Sequence, residues 1–131
     1  MSINLGNKQI HLDDSIMIVT ETDDRGKIIF SSRDFCQISG YCEEELIGQS
    51  HNIVRHPFMP RSAFEQLWQT VKKGNVWNGI VVNKTKHGDY YWVNSTVFPS
   101  KQKDGSTKYI SVRTKASDEE IQNVISVYKK I

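Results

Sequence analysis

Three segments rich in β-branched and aromatic residues follow one another in the second half of the chain, and they constrain its fold more than any other feature. They cover residues 76–85, 90–99 and 108–114. A Lys-His-Gly-Asp turn and a Lys-Asp-Gly turn separate them. Turns of this composition are typical of connections between antiparallel strands. The pattern therefore predicts a three-stranded antiparallel meander.

The first half of the chain supplies two further strands and several helices. Residues 15–21 and 27–30 are strand-like and flank an Asp-Asp-Arg-Gly turn, which predicts a β-hairpin. Residues 31–46 show helical spacing interrupted by glycine, which indicates short helices. A longer helix is predicted from Pro60 up to Gly74, because apolar residues recur there at intervals of three and four.

The last 15 residues predict an amphipathic helix. Ser117 and Glu120 have the spacing of a capping box, and an apolar stripe follows. The stripe fits either packing on the chain's own sheet or pairing with a downstream segment or a second copy. Overall we predict an α+β fold: a five-stranded antiparallel sheet with short helices on one face and an amphipathic C-terminal helix.

Charge and hydropathy exclude two classes of partner. The 17 basic and 15 acidic residues are interspersed and leave a net charge of +2, so no nucleic-acid-binding surface is predicted. The longest apolar run has four residues, against the ~20 that a membrane helix needs. The N-terminal residues show no secretory signal, which predicts a cytoplasmic setting.

Neither catalytic residues nor metal ligands stand out. His51 and His56 are five residues apart and lack the Glu of a zincin helix. Cys36 and Cys42 have no partners at zinc-finger spacing, and we interpret them as free thiols. We therefore predict no catalytic residue, no metal site and no enzymatic activity.

Two groups of residues are candidates for binding a ligand. The proline-rich loop at residues 51–60 carries the donors Arg55 and His56, and period-two alternation places Trp77 and Asn83 on one face of a strand. An indole and an amide on one face suit a flat heterocycle. The alternative is that the loop only caps neighbouring carbonyls and that Trp77 is an ordinary core residue.

Four short motifs stand out along the chain: Phe-Cys-Gln-Ile-Ser-Gly-Tyr at residues 35–41, His-Asn-Ile-Val-Arg-His-Pro at 51–57, Trp-Asn-Gly at 77–79 and Gly-Asp-Tyr-Tyr-Trp-Val at 88–93. Together they resemble the PAS domain of Aer-type aerotaxis and energy-taxis receptors. The first motif is typical of PAS domains in general, and the other three are more specific. The resemblance divides the chain into an N-terminal extension (1–14), a PAS sensory domain (15–116) and a C-terminal helix leading towards a downstream signalling region (117–131).

The resemblance implies a sensor of redox state or oxygen that binds FAD noncovalently and relays its state to a chemotaxis signalling domain or receptor. It assigns flavin contacts to Arg55, His56, Trp77 and Asn83, and we add His51 as a cofactor-binding candidate. It also implies a cytoplasmic domain associated with the inner membrane through a receptor, and it allows a homodimer.

Phe58 stands where flavin-binding members of this family have Asp. The alternative is a cofactor-free, small-ligand or haem-binding PAS module that acts in dimerisation and signal relay. In the haem case, His51 or His56 is the candidate axial ligand. Residues 50–64 contain no cysteine, so flavin-cysteinyl photochemistry is not expected.

Overall fold

The computed structural model describes residues 4–130. Its elements are β1 (Ile18–Thr22), β2 (Ile28–Ser31), α1 (Arg33–Ser39), α2 (Glu43–Leu46), a 3-10 helix (His51–Val54), α3 (Arg61–Lys72), β3 (Trp77–Lys84), β4 (Tyr90–Lys101), β5 (Thr107–Lys115) and α4 (Asp118–Tyr128). The strands form one antiparallel sheet in the order β2-β1-β5-β4-β3. The predicted α+β fold with five antiparallel strands is confirmed.

The meander formed by β3, β4 and β5 has a regular register. β3 pairs with β4 without a bulge from Trp77 opposite Val97 to Lys84 opposite Tyr90. In the connecting turn, Gly88 adopts a positive φ of 90°, a conformation that side chains with a Cβ rarely adopt. Because the register is unbroken, Trp77 and Asn83 do share one face of β3, as predicted.

Helices lie against both faces of the sheet. α1 and α3 pack on one face, where α3 covers a cavity that is described below. α4 lies against the opposite face, since Glu120 accepts a hydrogen bond from Asn94 and the Tyr128 hydroxyl donates to the Ile80 carbonyl at 2.8 Å. The apolar stripe of α4 thus packs on the chain's own sheet, with Ile121 only 7% exposed.

The N-terminal segment is docked to the domain. The Asn7 N–H donates to the Gly88 carbonyl, and the Ile10 N–H donates to the Tyr90 carbonyl. Leu12 is buried in the core. The N-terminal segment thus pairs with the start of β4, where β4 is not paired with β5. Within the described residues, none of the helices has both the length and the apolar character required to cross a membrane.

Candidate functional site

A cavity of about 320 Å³ lies between the sheet and α3. This volume is at the lower end of the range for small-molecule sites, ~300–1,000 Å³. The sheet, α3, the β1–β2 turn and the 3-10 helix all contribute to its wall. The side chains that matter below are Arg25, His51, Arg55, Phe64, Trp68, Lys72, Asn83 and Arg113.

Arg113 on β5 is the most unusual residue in the cavity wall. Its side chain is only 2% exposed, and its guanidinium donates hydrogen bonds to His51 Nε2 and to the Thr20 hydroxyl. The guanidinium carbon also lies 4.9 Å from the centre of the Phe35 ring. Burial lowers the pKa of Arg113 to about 10, which still leaves the group protonated at neutral pH.

In the part of the chain that the structure describes, no carboxylate pairs with this buried charge. The ion pairs within residues 4–130 join Lys86 to Glu45, Lys108 to Glu21 and Lys115 to Asp14, and none involves Arg113. The Arg113 Nε atom is buried without any hydrogen-bond partner. A buried charge without a counter-ion is costly in a protein interior. The geometry therefore points to an anionic or electron-rich group in the cavity.

His51 is held as a neutral ring by Arg113. The Arg113 Nη1 atom donates to His51 Nε2 at 3.0 Å, and a guanidinium cannot accept hydrogen bonds, so the His51 proton is on Nδ1. The Thr20 hydroxyl lies 3.1 Å from the same Nε2 atom, and the imidazole stacks on Phe35. Burial, and secondarily the Arg113 charge, lower the pKa of His51 from 6.5 to about 3.

Arg55 and Asn83 meet at the edge of β3. An isolated antiparallel bridge joins their backbones, which places the predicted loop directly beside the strand. Asn83 is 4% exposed, and its amide nitrogen lies 3.5 Å from the Tyr91 hydroxyl, at the limit for a hydrogen bond. Its amide is therefore available to a ligand. The structure brings His51, Arg55 and Asn83 together in one cavity, and their role in cofactor binding stays a prediction.

His56 and Trp77 do not line the cavity. The Phe58 N–H donates to His56 Nδ1, so His56 Nε2 carries the proton and donates to the Leu5 carbonyl. The Trp77 indole lies on Gly79, where an added Cβ would come within 2.5 Å of the ring. The missing side chain at Gly79 thus makes room for the Trp77 indole itself. A flavin-binding role for these two residues stays a prediction.

Phe58 and the cysteines also lie outside the cavity lining. The Phe58 ring contacts Trp92 and Tyr128, at centroid distances of 6.3 and 6.4 Å. Phe58 therefore packs against α4. It does not occupy a position in the cavity wall where a hydrogen-bond acceptor would contact a ligand. Cys36 and Cys42 are free thiols, as predicted.

Arg113 lines the cavity, and the sequence analysis did not single it out as part of the site. Arg113 belonged to a predicted strand, where a charged residue is ordinarily assigned to the solvent face. Two residues before it, Ser111 lines the same cavity, so alternation along β5 places Arg113 on the inner face. The alternation along β5 indicates that Ser111 and Arg113 share a face, but the sequence does not show which face of β5 is covered.

An antiparallel sheet with a ligand-sized cavity under its helices is the architecture of a PAS fold. The sequence profile described as PAS fold matches residues 28–125, about three quarters of the chain, and the chain belongs to this family. The chain is 44% identical over 92% of its length to the aerotaxis receptor of Escherichia coli strain K12. It is 24% identical over 75% of its length to a nitrogen fixation regulatory protein of Klebsiella oxytoca.

The fold is shared with solved structures of low sequence similarity. The dark structure of the blue-light photoreceptor Aureochrome1 LOV superposes with a TM-score of 0.72 at 19% identity, covering 86% of this chain and 84% of that one. The chain spans 24% of the aerotaxis receptor and 20% of the nitrogen fixation regulatory protein. It therefore corresponds to one domain of these longer relatives.

Proposed function

We propose that the chain is the sensory domain of an aerotaxis or energy-taxis receptor and that it holds FAD in the cavity beside Arg113. The observation that carries this proposal is the buried guanidinium, which has neither a counter-ion nor a partner for its Nε atom among the described residues 4–130. The 44% identity to the aerotaxis receptor supports the receptor class.

The residues around Arg113 fit a flavin ring. Arg113 would donate to an electron-rich edge of the ring, and the Asn83 amide would supply a paired donor and acceptor. Val81 and Val97 line the same cavity and would contact the apolar part of the ring. A bound flavin supplies reversible electron transfer. Arg113 favours any form of the ligand that carries additional negative charge.

We further propose that the signal leaves through the loop between the 3-10 helix and α3. Arg55 lines the cavity, and three residues later Phe58 contacts Tyr128 of α4. A rearrangement around Arg55 would thus be transmitted to α4, and from there to a chemotaxis signalling region at the inner membrane. The same proposal includes a chemotaxis signalling domain or receptor as the partner, and a homodimer of the chain.

A small anionic ligand is the second candidate, since Arg113 and a 320 Å³ cavity suit a carboxylate equally well. Haem is less well supported by the structure. His51 Nε2 already accepts a hydrogen bond from Arg113, and His56 has hydrogen bonds at both ring nitrogens. With the His51 proton on Nδ1 and the His56 proton on Nε2, neither imidazole therefore offers an unshared lone pair to a haem iron.

Reconstitution with FAD tests the proposed function. The 131-residue chain, incubated with FAD and then dialysed, is expected to retain flavin absorption. Asn83→Ala is expected to lower FAD affinity roughly tenfold, because it removes hydrogen bonds to a buried ligand. Asn94→Ala, on the opposite sheet face, is the matched control and should stay within about twofold.

Four outcomes would count against the flavin proposal or its site. A folded chain that retains no flavin contradicts it, and equal FAD affinity in Asn83→Ala and the parent chain contradicts the site. A Soret band in the purified chain would instead indicate haem. Thermal stabilisation by small carboxylates, with no flavin uptake, would support the second candidate.

A further inference from the structure

Three connections between strands and helices meet at one end of the sheet. Tyr109, near the start of β5, lies opposite both Thr22 of β1 and Pro99 of β4, so the β1–β2 and β4–β5 turns are neighbours. β3 begins at Trp77, opposite Val97, which is two residues before Pro99, and this places the α3–β3 connection at the same end. We call this surface the basic end; it consists of residues 23–27, 72–76 and 101–108.

The fold separates charges that are interspersed along the sequence. The basic end carries three acidic residues and seven basic ones: Arg25, Lys27, Lys72, Lys73, Lys101, Lys103 and Lys108. At the other end of the sheet, nine acidic and four basic residues lie in segments 7–14, 43–45, 84–89 and 115–120. A net charge of only +2 thus conceals a strong charge asymmetry along the sheet. Such a field orients a protein towards an anionic surface.

Several cations of the basic end are not engaged by the domain itself. Lys108 pairs with Glu21 at 2.9 Å, and the Lys72 Nζ atom lies 5.7 Å from the centre of the Trp68 ring. Four other lysines are exposed and have no ion pair within residues 4–130: Lys27, Lys73, Lys101 and Lys103. These four lysines are therefore available to an external anion.

An apolar side chain projects among these lysines. Val76 is 62% exposed, more than any other large hydrophobic side chain in the described part of the chain. It lies three residues after Lys73, and the connection that carries both turns at Gly74, whose φ is 89°. An exposed apolar group among cations matches the chemistry of a bilayer surface, where anionic headgroups lie above acyl chains.

We propose that the basic end docks on an anionic lipid bilayer. The four lysines would lie among the headgroup phosphates, and Val76 would enter the boundary between headgroups and acyl chains. Each basic residue near such a surface strengthens binding about fivefold, so four give a dissociation constant on the order of 1 mM. Binding this weak becomes effective when a receptor tethers the domain beside the membrane, because a tether supplies a roughly millimolar effective concentration. The inference goes beyond the proposed function: it uses the inner-membrane setting but not the flavin.

Two features favour a lipid surface over a nucleic acid. The backbone of a nucleic acid offers no apolar layer for Val76, whereas a bilayer does. The free cations are lysines on three separate turns, and an ammonium is a point charge without the fixed fork of a guanidinium. Such charges suit a layer of mobile headgroups better than a phosphate held in one geometry.

Sedimentation with vesicles tests this surface. The 131-residue chain is expected to sediment, at low salt and millimolar lipid, with vesicles of equal parts phosphatidylglycerol and phosphatidylcholine, but not with phosphatidylcholine alone. Lys101→Glu/Lys103→Glu is expected to weaken binding at least about tenfold. Lys8→Glu/Lys84→Glu is the matched control, because it makes the same change in net charge at the opposite end, and binding should stay within about twofold. Val76→Ser should weaken binding about fivefold through the lost apolar contact.

The assignment is overturned if the two double variants lose binding equally, since binding would then follow net charge alone. It is also overturned if the parent chain does not sediment with the anionic vesicles, or if it binds a duplex oligonucleotide more tightly than the vesicles. Circular dichroism verifies that each variant is folded. Flavin retention is measured separately: a chain that binds vesicles but no flavin supports this inference while the proposed function fails.

Discussion

Replacing Arg113 with Met is expected to abolish tight flavin binding and, at the same time, to stabilise the ligand-free chain. Within residues 4–130 the buried guanidinium has no counter-ion, so its removal relieves a desolvation cost that its two hydrogen bonds and its contact with Phe35 offset only in part. We expect the free energy of unfolding to rise by about 1 kcal/mol or more, and flavin affinity to fall by at least about tenfold.

The contacts that Arg113 leaves behind support this expectation. The Thr20 hydroxyl lies 3.1 Å from His51 Nε2, so these two groups can pair with each other once the guanidinium is gone. Met has an unbranched apolar side chain that fills irregular space in a core. No buried polar partner of Arg113 is therefore left without a hydrogen bond.

Urea denaturation and flavin titration measure the two effects separately. Arg61→Met is the matched control, because Arg61 is exposed at the start of α3, and both quantities should stay near those of the parent chain. Arg113→Lys retains the charge and is expected to bind flavin better than Arg113→Met does. If Arg113→Met instead lowers the free energy of unfolding by about 3 kcal/mol or more, as found when a buried ion pair is broken, Arg113 does have an anionic partner in the folded chain.

Acidification is expected to destabilise the ligand-free chain through His51. Its pKa is about 3 in the folded chain, against 6.5 ordinarily, because of burial and the Arg113 charge. Below pH 6.5 the unfolded chain binds a proton at His51 that the folded chain excludes. His51 therefore leaves the free energy of unfolding unchanged above pH 6.5. As the pH falls from 6.5 towards 3, the free energy of unfolding decreases by up to about 1.4 kcal/mol per pH unit.

The contribution of His51 is isolated by comparing variants across this pH range. His51→Gln should flatten the dependence of unfolding free energy on pH between about pH 6 and pH 4. His87→Gln, at an exposed position in the β3–β4 turn, should leave it unchanged. Carboxyls with lowered pKa values, such as Glu45 beside Lys86, add to the slope in every variant and cancel in the difference. Equal slopes in the His51→Gln and parent chains would show that His51 does protonate in the folded state.

Much of the fold was predictable because its signals are local. The Gly-containing turns and the alternation in 76–85 and 90–99 fixed two strands to within two residues of β3 and β4. The capping box at Ser117 and Glu120 is present, with both reciprocal hydrogen bonds. The docking of α4 on the opposite sheet face was not predictable, since it depends on contacts such as that between Tyr128 and Ile80, 48 residues apart.

The candidate site was predictable only in part, because it too depends on contacts between residues that are far apart in the sequence. His51, Arg55 and Asn83 do converge on the cavity, because the loop runs along the edge of β3. The role of Phe58 was not visible in the sequence, since its contact with Tyr128 joins two distant segments. Arg113 was missed because its burial depends on helices that come 40 or more residues earlier in the chain. Alternation identifies the two faces of a strand but not which face is covered.

The side-chain Nε–H resonance of Arg113 tests the central claim most directly. This N–H is buried at the cavity wall without a partner, so a ligand that pairs with the guanidinium must change its chemical shift. The chain contains five arginines, and Arg113→Met identifies the resonance by its disappearance. On addition of FAD, the account predicts a large shift of this resonance and little change at the exposed Arg33 and Arg61. An Arg113 resonance that stays in place while FAD is bound would contradict the account.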